Sequence, residues 1–89
     1  MQTYPLNALR NAVYNDALER GLWRPDDTPM DGAQMIRGKA MELIYMTDED
    51  RPMTYENALA DVIITCLNVA GRFDIDVDAA VRRRMEDDK

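Results

Sequence analysis

Histidine is missing from this chain of 89 residues, and cysteine occurs once, as Cys66. Without an imidazole there is no nucleophile–histidine triad and no histidine-bound zinc. A lone thiol forms no intrachain disulfide. Set inside an apolar segment, it reads as a buried free thiol in a reducing compartment. Positive charge is also scarce: 11 Lys and Arg stand against 17 Asp and Glu, for a net charge of -6. That balance argues against a nucleic-acid backbone or an anionic membrane as the main partner. No stretch reaches membrane-spanning length without charge, and the N-terminus has no basic region followed by an apolar run. A cytoplasmic protein is expected, with neither nucleic acid nor membrane among its partners.

What is present is apolar and helix-forming. Hydrophobic residues make up 46% of the chain and include seven methionines, enough for one domain spanning 1–89. At this length a helical domain often completes its core by forming oligomers. The spacing predicts four helices and no strands. The first runs from Leu6 to Arg20, with Leu6, Leu9, Val13 and Ala17 on one face and Gly21 as its stop. The second covers Gly32 to Met46, with Asp31 as N-cap. An acidic link from Thr47 to Pro52 leads to a third, Thr54 to Arg72. Asp76 then caps a last helix from Val77 to Glu86. Short connections favour antiparallel neighbours, hence an all-α four-helix bundle.

The third of these helices is the most informative. Leu59, Val62, Ile63, Ile64, Cys66, Leu67, Val69 and Ala70 leave it apolar in most directions, as in a buried helix. Thr54, Asn57, Asp61, Thr65, Asn68 and Arg72, spaced three and four apart, form one polar stripe. A solvated face would favour Glu, Lys, Gln and Arg, which are better helix formers than Thr, Asn and Asp. Short oxygen-bearing side chains on a rigid helix suit a hard cation or a hydrogen-bonded ligand, and Arg72 suits a phosphate. Whether the stripe faces solvent or an internal site stays open at this level.

The second predicted helix has its own anomaly, because Lys39 falls in the apolar face formed by Met35, Ile36, Leu43 and Met46. One reading is an i,i+3 ion pair with Glu42 whose stems reach water. The other places Lys39 and Glu42 in a polar cleft shared with Asp61. Tyr14 and Trp23 are candidates either to stack on a base or to pack in the core.

The run from Glu56 to Ile64, the run from Leu67 to Val81 and the closing Arg84-Met85-Glu86 together resemble the second half of MazG-like nucleotide pyrophosphohydrolases. Asn15 to Trp23 resembles the first helix of the short, often phage-borne members. The resemblance implies an all-α, dimeric or tetrameric protein that splits nucleoside triphosphates to monophosphate and pyrophosphate with Mg²⁺. Such a site needs several carboxylates to hold magnesium on a polyphosphate and to orient water. The pattern is E-E-x-x-E on the second helix and E-x-x-D on the third. Here Glu42 matches the last acid of the first pattern and Asp61 the acid ending the second. Gly38, Lys39 and Ala58 stand where the other acids belong, and Asn68 matches a position often Asn or Asp. The basic, aromatic extension after the last helix is missing, since the sequence closes on Asp87-Asp88-Lys89.

Three functions follow as expectations. The first is a pocket in which Lys39, Thr65, Asn68, Arg72, Tyr14 and Trp23 bind a nucleotide or nucleotide-derived molecule with little or no hydrolysis, in a sequestering or regulatory role. The second is a Mg²⁺-dependent pyrophosphohydrolase in which Glu42 and Asp61 serve as metal ligands and catalytic acids. The third is a protein–protein interaction module.

Overall fold

Proline opens three of the four helices, where its fixed φ favours helix entry and its missing N–H has no intrahelical partner to lose. The computed structural model describes residues 5–46 and 52–87, and the side chains of these apart from Pro52 and Met53. They form α1 (Pro5–Glu19), α2 (Pro29–Met46), α3 (Pro52–Arg72) and α4 (Val77–Asp87). No strand occurs among the described residues. Of the acidic link expected from Thr47 to Pro52, residues 47–51 lie outside them and Pro52 instead opens α3; the last two residues of the acidic tail lie outside as well.

Three cap signals act as expected or close to it. Gly21 takes φ 68°, and Leu22 N–H donates to Ala17 C=O while Gly21 N–H donates to Leu18 C=O. This pair of bonds closes α1 in the left-handed stop that glycine favours. Asp76 caps α4 by accepting the Ala79 N–H at 3.0 Å. On α2 the cap is Thr28 rather than Asp31. Asp31 lies three residues further on and reaches back, accepting the Thr28 N–H at 2.7 Å and its hydroxyl at 3.0 Å. That reciprocal capping box starts the helix at Pro29 instead of Gly32. The end of α3 copies the α1 stop with no glycine: Asp74 takes φ 53° while Ile75 N–H donates to Ala70 C=O.

Packing is organised around α3, with α1 and α2 against it and α4 held on α1. α2 runs antiparallel to α3, because Gly32 meets Val69 and Phe73 at one end and Met46 lines one groove with Thr54 and Ala58 at the other. Two glycines permit the close approach. A Cβ on Gly71 would stand 2.5 Å from the Tyr14 Cβ, and one on Gly32 would stand 2.8 Å from Val69.

The contact with α1 falls on the C-terminal half of α3, where Leu67 and Ala70 are buried along with Ala17 and Trp23. The N-terminal half is less covered, and one side of the C-terminal half is open too. Tyr55, Leu59, Ile63 and Ile64 are exposed, and so is Cys66, which the sequence placed in the interior. The apolar circumference of α3 therefore exceeds what two neighbouring helices can cover.

Candidate functional site

The polar stripe of α3 divides into two parts with different surroundings. Its C-terminal part turns inward to the connection between α1 and α2. Trp23, buried there, donates from its indole Nε1 to Asn68 Oδ1 at 2.8 Å. Arg72 lies 5.3 Å from the Trp23 ring centroid and donates to Arg24 C=O at 2.7 Å. It also donates to the Tyr14 hydroxyl at 3.3 Å. Tyr14 and Phe73 meet Trp23 edge-on, with ring centroids 6.4 and 6.1 Å away. Thr65 is buried and donates its hydroxyl to the Asp61 carbonyl at 2.8 Å.

Tyr14, Trp23, Asn68 and Arg72, offered in the sequence as ligand contacts with Lys39 and Thr65, here hydrogen-bond to one another and to backbone, while Lys39 and Thr65 bond elsewhere. The Trp23–Asn68 bond satisfies a buried indole N–H that would otherwise be costly. Arg72, at the C-terminal end of α3, also sits where a cation favours the helix dipole. The cluster locks the 20–28 connection onto α3.

The N-terminal part of the stripe opens on a groove between α2 and α3. Glu42, Met46, Thr54, Asn57, Ala58 and Asp61 line it, around a volume of about 450 Å³. That volume is within the range of small-molecule sites, about 300–1,000 Å³. Met46 and Ala58 are the apolar part of the lining, and both carboxylates are exposed. Lys39 Nζ donates to Glu42 Oε2 at 3.4 Å. It is the i,i+3 ion pair of the sequence reading, with more than a third of each side chain exposed. Lys39 is not among the residues that line the groove.

These residues set what the groove can hold. Two carboxylates, a hydroxyl and an amide offer oxygen ligands and hydrogen-bond acceptors. They repel a bare phosphate and attract a hard cation or a ligand rich in N–H donors. No group of three or more acidic, cysteine or histidine side chains able to hold a metal occurs among the described residues. Glu42 and Asp61 are the two acids lining the groove, and one or two carboxylates hold magnesium only where phosphates and water complete its shell.

Sequence reasoning missed a second polar junction, between the starts of α1 and α4. Asn7 N–H donates to Asp78 Oδ2, its side-chain amide donates to Asp76 Oδ1, and its carbonyl oxygen accepts from Val77 N–H, each at 2.9 Å. Asp78, buried, places a carboxylate at the N-terminus of α1, where an anion is favoured. The separation of about seventy residues hides this pairing from any local pattern.

No family model, no curated protein and no solved structure matches this chain. None of the helices among the described residues is long and apolar enough to cross a membrane.

Proposed function

We propose that the α2–α3 groove is a nucleotide-binding site of MazG-like type, working as a binding or regulatory site with little turnover in a protein of more than one copy. One observation carries the reading. Glu42 and Asp61, nineteen residues apart and the two acids retained from the resemblance, line the same groove with Thr54 and Asn57. Arg72 and Asn68 are engaged elsewhere, which removes them from direct contact with phosphate. Phosphate charge is then met by a magnesium ion bound to Glu42 and Asp61, with Lys39 beside Glu42 as the nearby cation. Two carboxylates anchor such an ion when phosphates and water complete its shell. They leave no further acid to orient an attacking water, so binding without rapid hydrolysis is the expected outcome.

Isothermal titration with ATP, dATP and ADP, each with Mg²⁺ and with a chelator, tests this. The expected result is magnesium-dependent binding that weakens by about tenfold or more in Asp61→Asn, with little pyrophosphate released. Equal affinity in Asp61→Asn, or no affinity for any of the three, would overturn the reading. Rapid pyrophosphate release from the wild-type protein would show a pyrophosphohydrolase instead. A second reading, an interaction module, is favoured by the large apolar side chains left exposed on α2 and α3.

A further inference from the structure

The α2–α3 groove is not uniform along its length. Glu42 and Met46 line it from α2, one turn and so about 6 Å apart along that helix. From α3, Thr54, Asn57, Ala58 and Asp61 line it over about 10 Å. The two helices are antiparallel, so the wall that runs Glu42 then Met46 faces one that runs Asp61, then Asn57 and Ala58, then Thr54. Lys39, paired with Glu42, lies almost a turn beyond it, on the side away from Met46. Both charged residues of the described lining, with Lys39 beside them, are thus gathered at one end. The other end offers a thioether, a methyl, a hydroxyl and a carboxamide.

A nucleotide is polarised in the same way, with charged phosphates at one end and an uncharged ring at the other. We propose that Met46, Thr54, Asn57 and Ala58 form a subsite for the base, a neutral nitrogen heterocycle, while the phosphates lie toward Glu42 and Asp61. This rests on the reading of the groove as a nucleotide site. It adds the direction in which the ligand lies and the residues that hold its uncharged part.

The side chains suit the task. The Met46 thioether is flexible and polarizable, and sulfur makes favourable contacts with aromatic rings. Asn57, exposed at the groove, carries an acceptor oxygen and two N–H donors on one carboxamide, and the Thr54 hydroxyl both donates and accepts. A base edge presents donors and acceptors side by side, which a carboxamide can match. Ala58 ends at its Cβ and adds no bulk next to Asn57. The reverse direction fails on charge. It would set the phosphates against neutral side chains and strip water from two carboxylates for a ring that cannot neutralise them.

Isothermal titration of the wild-type chain, N57A and D61N with ATP and with inorganic tripolyphosphate, both in excess Mg²⁺, tests the subsite. Tripolyphosphate carries the phosphates without the base. Asn57 is exposed inside a helix, where alanine is the better helix former, so N57A is expected to keep its circular dichroism. The wild-type chain should bind ATP more tightly than tripolyphosphate. N57A should lose about five- to tenfold in ATP affinity and nothing for tripolyphosphate, whereas D61N should weaken both.

An ATP affinity unchanged in N57A would overturn the subsite and leave the nucleotide reading intact. So would equal losses for the two ligands in N57A, which would put Asn57 at the phosphate end. A wild-type chain that binds tripolyphosphate as tightly as ATP would also remove the subsite. Binding of neither ligand would overturn the subsite and the nucleotide reading together.

Discussion

Asn68 illustrates how one side chain can fit a ligand site on paper and a structural bond in the fold. Its oxygen accepts from the Trp23 indole at 2.8 Å, and both residues are buried. Replacing it with leucine removes the acceptor while leaving the donor inside. We expect Asn68→Leu to cost about 1–3 kcal/mol, read as a lower urea midpoint with an unchanged slope. Asn68→Asp keeps the acceptor and should lose less. Trp23 is the single tryptophan, so its fluorescence reports this cluster directly. The stripe from Thr54 to Arg72 was legible in sequence because helical spacing alone defines it. Its division was not, because the division depends on the 20–28 connection, which brings Trp23 and Arg24 to α3 across more than forty residues. That Glu42 and Asp61 line one groove agrees with the shared-cleft reading except for Lys39, which is outside it, and the Lys39–Glu42 ion pair follows from i,i+3 spacing.

Among the elements, the helix starts depend on carboxylates, and this gives stability a pH dependence of known sign. The backbone N–H of Thr28, then its hydroxyl, holds the Asp31 carboxyl below the usual Asp value. The Asn7 side chain, then the Ala79 N–H, does the same for Asp76. A folded-state value below the unfolded one means that the stabilisation is fully present above about pH 4 and is lost as pH falls through the lower folded value. We expect the urea midpoint to drop between about pH 4 and pH 2. In the double variant D31N/D76N the drop should be smaller, because an asparagine oxygen still accepts these hydrogen bonds but does not titrate. An identical pH profile in that variant would remove the caps from the account. The helices themselves were readable to within a few residues, and the error on α2 has a local cause. Asp31 was taken as the cap, whereas Thr28 caps and Asp31 completes the box, with Pro29 at the first helical position between them.

On the scale of the whole molecule, the radius of gyration is 14.5 Å, where a compact chain of this length has about 12 Å. Helices arranged around α3 on two sides, with α4 packed mainly on α1, account for this openness. On the proposal that the protein works in more than one copy, its unfolding should depend on concentration. For a dimer that dissociates as it unfolds, each tenfold rise in protein adds about 1.4 kcal/mol. Spread over the unfolding entropy of two chains, this raises Tm by roughly 4 °C per tenfold. A monomer stable by itself shows no such shift. We expect the rise in the wild-type chain and in Asp61→Asn, whose change lies in the groove, and its disappearance in L59E/I63E, which puts charge on two large apolar side chains exposed on α3. Calorimetry across two decades of concentration checks this, and a constant Tm in the wild-type chain would show that its four helices fold unaided despite the apolar surface they leave open.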